Sequence, residues 1–98
     1  MSLYRVSYSG RVLDSIKELI LRAHRLGIAS EALAAVREIE RRLQIYPQFG
    51  QPLQDLSIDN AQIWIGVVPP LVIHYVIDEH HRQVMVLQPP SPFSDTGL

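Results

Sequence analysis

The 98-residue chain contains no cysteine. That excludes a disulfide framework, a thiolate metal site and a cysteine nucleophile. It also lacks a charge bias, with nine Lys+Arg against ten Asp+Glu and a net charge of -1. A protein that binds nucleic acid mainly by neutralising phosphates carries a basic excess, so this balance argues against that class. No apolar run reaches the length of a membrane span. The longest, from Ile63 to Val76, is interrupted by Gly66, Pro69-Pro70 and His74. The first residues, Met1-Ser2-Leu3-Tyr4-Arg5, show no long apolar stretch behind a basic start, so no signal segment is read and a cytoplasmic location is expected. Internal repeats are missing, and aromatics make up only 7%.

What remains is a composition 47% hydrophobic and 19% charged, with a mean hydropathy of +0.07. This is a folded chain rather than a disordered one, and its length suits one domain. The expected domain covers residues 1–90, with a Pro/Ser-rich tail over 91–98.

Leu3 to Tyr8 alternates, with Tyr4, Val6 and Tyr8 on one side, and reads as a first strand. Ser9 suits a helix N-cap, and Val12, Ile16, Leu19, Ile20, Ala23 and Leu26 then form one apolar stripe that Gly27 ends. A second helix follows, with Ser30 as the expected N-cap and Leu33, Val36, Ile39, Glu40 and Leu43 as its inner stripe. Glu38 and Arg42 stand at i,i+4 on its solvated flank. So short a gap between the two makes them an antiparallel helical hairpin.

Pro47 stops the second helix, and Tyr46 to Leu53 reads as loop. Three strands are expected next: Gln62–Val68, Leu71–Ile77 and Gln83–Leu87. In the first, Trp64, Gly66 and Val68 oppose Ile63, Ile65 and Val67; in the second, Leu71, Ile73, Tyr75 and Ile77 oppose Val72, His74 and Val76. Both faces are largely apolar, so helices should cover one and leave the other partly open. Asp78 to Arg82 is a polar hairpin turn, and the prolines after Gln88 should end the sheet. The fold class is therefore α+β: one N-terminal strand, an antiparallel helical hairpin, then three antiparallel strands.

This order resembles the RelE/ParE superfamily of bacterial toxins from toxin–antitoxin (plasmid stabilisation) modules. Three stretches carry the likeness. They are Tyr4-Arg5-Val6-Ser7-Tyr8-Ser9, the segment Ile39 to Leu56 reading "I..RL...P.FGQPL.DL", and Val72-Ile73-His74-Tyr75-Val76-Ile77-Asp78-Glu79. Taken with the order of elements between them, the resemblance covers about nine tenths of the chain. The resemblance implies a RelE-like fold, a small antitoxin as partner, and either the translating ribosome with its messenger or DNA gyrase as target. It implies no cofactor. The functional residues of the messenger-cleaving branch do not carry over. Val72 stands where that branch has the arginine opening its central-strand motif, while Tyr75 keeps the tyrosine. The segment Gln88-Pro89-Pro90-Ser91-Pro92-Phe93 stands where a His-Arg pair and an aromatic are common, and Gln62 to Val68 holds no basic residue.

Two function classes follow. In the first, the chain is a toxin-like component that acts by binding, held by an antitoxin docked on helix one and on the rim near Val72, His74 and Val76. In the second, it is a ribosome-dependent messenger endonuclease with a relocated catalytic set. That set would be His74 and His81 as acid–base groups, with Arg82 as the phosphate contact. A decayed toxin that only self-associates is a variant of the first class. The His80-His81 pair with His74 reads as a solvated turn rather than a metal site. The arginines of helix two, with Arg22 and Arg25, read as a solvated helix face, and Trp64 as core.

Overall fold

The computed structural model describes residues 3–58 and 61–92, the side chains of 54–58 apart. Strand β1 (Arg5–Ser7) leads into α1 (Gly10–Arg25) and α2 (Ala29–Ile45). A 3-10 turn, Pro47–Phe49, then precedes β2 (Gln51–Ile58), β3 (Ala61–Val68), β4 (Leu71–Asp78), β5 (Gln83–Val86) and a short β6 (Ser91–Pro92). The sheet order is β1-β5-β4-β3-β2. β1 runs parallel to β5, and the other neighbours are antiparallel. The α+β layout with a helical hairpin is as the sequence indicates.

Local chemistry explains most boundaries. The Ser9 hydroxyl accepts the Val12 N–H at 3.1 Å, capping α1. Gly27 adopts φ +77° in the turn between the helices, the left-handed region that side chains resist. α2 departs from expectation at its start. It begins at Ala29 with Ile28 in the capping position and no side-chain cap, while the Ser30 hydroxyl bonds Glu31 instead. The tight turn leaves no extra residue to bring Ser30 outside the helix. Its buried stripe also differs: Ala32, Ala35, Ile39 and Leu43 face inward, and Leu33 is exposed. The small alanines, with Ala23 on α1, let the helices approach closely, and Leu33 is carried off that face. Leu26, past the last turn of α1, is exposed as well.

Two further differences concern the sheet. The expected loop gives way at Gln51 to β2, and Gly50 accounts for the entry. A side chain at position 50 would strike the Ile65 carbonyl and the Tyr75 hydroxyl, so glycine lets β2 lie against β3. β2 is irregular: five steps from Pro52 to Ser57 match two steps from Trp64 to Gln62, a bulge that blunts this edge strand. The prolines after Gln88 also do not end the sheet. The chain takes four steps from Leu87 to Ser91 while β4 takes two from His74 to Val72, and Ser91–Pro92 then rejoin β4. Proline is tolerated there because β6 is an outer strand with no ladder beyond it among the described residues. Pairing therefore runs past the expected boundary at residue 90. The expected tail from Phe93 onward and the Leu56 side chain lie outside the described residues.

The core lies between the helices and one sheet face. Leu71, Ile73 and Tyr75 of β4, Val68 of β3 and Val84 and Val86 of β5 meet Val12, Leu19, Ile39 and Leu43. Each fully buried aliphatic side chain here contributes about 1.5–3 kcal/mol. Gly66 lies under the Phe49 ring, which stacks on Tyr75 at 6.0 Å between centroids. Trp64 is half-buried against this core.

Candidate functional site

Alternation places the remaining side chains on the opposite, outward face. In register, Ile63 pairs with Val76, Ile65 with His74 and Val67 with Val72; Val76 pairs in turn with Met85, and Met85 with Ser7. Both helices lie on the other side, so no described element covers this face. Val67 and Met85 are 39% and 57% exposed, whereas Val76 is shielded to 9% by its neighbours. Soluble chains rarely leave so continuous an apolar patch open without a use for it.

His74 sits within this face, half-buried between Val72 and Val76 and across from Ile65. Its backbone carbonyl accepts the Leu87 N–H at 3.1 Å. Among the described residues its ring has no hydrogen-bond partner.

The β4–β5 turn holds the other two residues of the expected set. The His81 ring Nδ1 is 2.8 Å from Asp78 Oδ2, and its backbone N–H donates to Asp78 Oδ1 at 3.1 Å. These bonds, the backbone one first, hold the Asp78 carboxyl below its usual range. His80 meets the His81 ring edge-on at 4.8 Å. Arg82 takes φ +51°, and its guanidinium lies 4.3 Å over the Tyr4 ring. Gln48 clamps the turn from the side, donating to Glu79 Oε1 at 2.8 Å and to the Tyr4 hydroxyl at 3.1 Å.

The geometry separates the expected catalytic set. His81 and Arg82 belong to one turn, but His74 stands four residues up β4 from Asp78, about 13 Å away at the rise of a strand. The guanidinium of Arg82 is drawn toward the β1 side of the sheet by its stacking on Tyr4. An oriented Asp–His pair can accept a proton, and His74, the other acid–base candidate, stands four residues up β4 from it. No cluster of His, Cys, Asp and Glu among the described residues could hold a metal ion. On α2, Arg41 and Arg42 both converge on Glu38, at 2.6 and 2.7 Å. Hydrogen bonds from Arg41, then Arg42, pull the Glu38 carboxyl down to about 2. That offsets one of the two positive charges in the most basic stretch of the helix, consistent with a solvated face.

The outward face also holds a hollow of about 230 Å³, lined by Ser7, Val76, Asp78, Gln83, Met85 and Leu87. None of these residues belongs to the expected catalytic set. The outward apolar positions of β5, Met85 above all, are the signal in the sequence that could point to it. No described helix is long and apolar enough to cross a membrane. No protein-family model, curated protein or solved structure matches the chain.

Proposed function

We propose that this chain is a toxin-like component of a bacterial toxin–antitoxin module of the RelE/ParE kind, acting in the cytoplasm by binding rather than by cutting messenger. The observation that carries this reading is the uncovered sheet face of Ile65, Val67, Val72, His74 and Val76. A small antitoxin arm, disordered alone, would bury apolar side chains there as it folds. His74 is the one polar ring that arm would meet on the outward face of β4.

Two further observations favour binding over cleavage. His74 lies half a strand's length from the turn that holds His81 and Arg82, so the relocated endonuclease set does not converge. The net charge of -1 also gives no electrostatic pull toward ribosome or messenger. DNA gyrase is then the better candidate target of the two that the resemblance implies.

The test is induction of this protein alone in a bacterial culture, with primer extension on a reporter messenger from the same cells. Arrested growth with intact messenger is the expected result. Cuts inside translated codons would overturn the binding reading in favour of the endonuclease, and undisturbed growth would overturn the toxin reading altogether.

A further inference from the structure

The outward face around β5 carries a projection, a hollow and two opposite charges in one arrangement. Met85 is the projection, 57% exposed at the middle of the strand. The 230 Å³ hollow adjoins it, lined by Val76, Ser7 and Leu87 among others. The charges come from one row of the sheet: Arg5 pairs with Gln83, and Gln83 with Asp78. Arg5 and Asp78 thus stand one strand to either side of Gln83, each about 4.8 Å from it. Among the described residues the Arg5 guanidinium has no carboxylate partner.

A two-fold axis along β5 exchanges the strands on its two sides. It brings Arg5 of one copy opposite Asp78 of the other, and the reciprocal pair forms by symmetry. In the next row Val76 meets Ser7 of the second copy. The two Met85 side chains meet at the axis, where each can turn into the hollow beside the other. We propose that this face is a homodimer interface, β5 packed on β5 of a second copy, with Met85 seated in the facing hollow and Arg5 paired with Asp78 across the axis.

The charge pattern selects a second copy over a foreign partner: an isologous contact needs a cation and an anion at equal distances from one line, and the register supplies them. The contact is about three strands, or 14 Å, wide. Along the four residues of β5 it runs about 13 Å, so its footprint of roughly 200 Å² falls well short of the roughly 800 Å² per partner of stable complexes, and the dimer is weak, with a dissociation constant on the order of 0.1 mM. It leaves Ile65, Val67 and Val72 uncovered and does not depend on the toxin reading.

Sedimentation equilibrium up to about 1 mM tests this, at low and high salt. The expected mass climbs from 11.1 kDa toward twice that value, and less so in high salt. Arg5→Glu and Asp78→Arg each weaken the dimer about tenfold or more, while the double variant regains most of the loss. Far-UV circular dichroism and thermal midpoints confirm that each variant is folded. Because the chain has no cysteine, Met85→Cys and Leu21→Cys give an independent reading with a short bis-maleimide. The first should cross-link to dimer and the second, exposed on α1, should not. A protein that stays monomeric to 1 mM overturns the proposal. So does a double variant no better than the singles, or equal cross-linking at both positions.

Discussion

The Tyr75 hydroxyl donates to the Pro47 carbonyl at 2.7 Å, joining residues 28 apart in sequence and fastening the 3-10 turn to the centre of the sheet. The ring is fully buried and stacks on Phe49, so one side chain fixes both the turn after α2 and the entry into β2. Tyr75→Phe keeps the ring but leaves a carbonyl without its partner, and should cost about 1–3 kcal/mol. Tyr75→Ala should cost about 3–5 kcal/mol. Urea denaturation of both variants checks this; a near-neutral alanine variant is incompatible with the packing described.

Two glycines should respond in opposite directions to alanine. At Gly50 the new methyl would overlap the Ile65 carbonyl and the Tyr75 hydroxyl, and overpacking of this kind costs about 1–3 kcal/mol. At Gly10, in the first turn of α1, nothing lies within 4 Å. Gly10→Ala should therefore stabilise by about 0.4–1 kcal/mol through the unfolded chain's lost freedom. Thermal or urea midpoints of the two variants should move apart.

Stability should decline in alkali. Burial lifts the Tyr75 hydroxyl above its usual value of 10, with a backbone hydrogen bond from Gly50 acting the other way. Burial also lifts Tyr8, helped by the Glu40 carboxylate that its hydroxyl meets at 3.2 Å. A raised pKa in the folded state means the stabilising contribution is complete below pH 10 and is lost as pH rises beyond it, because the unfolded chain releases its protons first. Urea midpoints from about pH 8 to 11 should hold steady and then fall, and Tyr8→Phe should flatten part of the fall. A midpoint unchanged through about pH 11 would falsify this assignment.

Arg82 occupies a left-handed backbone conformation that costs a non-glycine residue roughly 1–2 kcal/mol. Arg82→Ala loses the stacking on Tyr4 and keeps the strain, so it should be about 1 kcal/mol less stable. Arg82→Gly relieves the strain and should be more stable than the alanine variant by about 1 kcal/mol. Equal stabilities would mean that the turn rearranges to accommodate alanine.

If the protein acts by binding, His74→Ala, His81→Ala and Arg82→Ala should each leave induced growth arrest in place. Loss of arrest in any of them, with the thermal midpoint within a few degrees of the parent, would assign that residue a functional role.

The alternation of β3 and β4 makes both sheet faces legible in the sequence alone: Tyr75 inward and His74 outward follow from a period of two. The Ser9 cap and the Gly27 turn are legible for the same reason, since each rests on a residue's own backbone chemistry. Features set by distant partners are not. β2 reads as loop because its proline and glutamines carry no strand pattern. It is strand because Gly50 lets it approach β3. Leu33 reads as core because it is apolar, but the close approach of Ala23, Ala32 and Ala35 turns another face inward. For the candidate site, residue type groups His74 with His81 and Arg82, whereas separation along an extended strand keeps them apart.

The parallel pairing of β1 with β5 has a consequence for how the protein is made. Among the described residues, the first strand to leave the ribosome finds its ladder partner only in Gln83, Val84 and Met85, and Arg5 donates to the Arg82 carbonyl beside them. Synthesis order and assembly order are therefore opposed: both helices and three strands are made before β1 can settle. A chain cut short before Gln83 would carry an orphan first strand and an unpaired edge on β4. Such a product is raw material for proteolysis or edge-to-edge aggregation rather than a partly working protein.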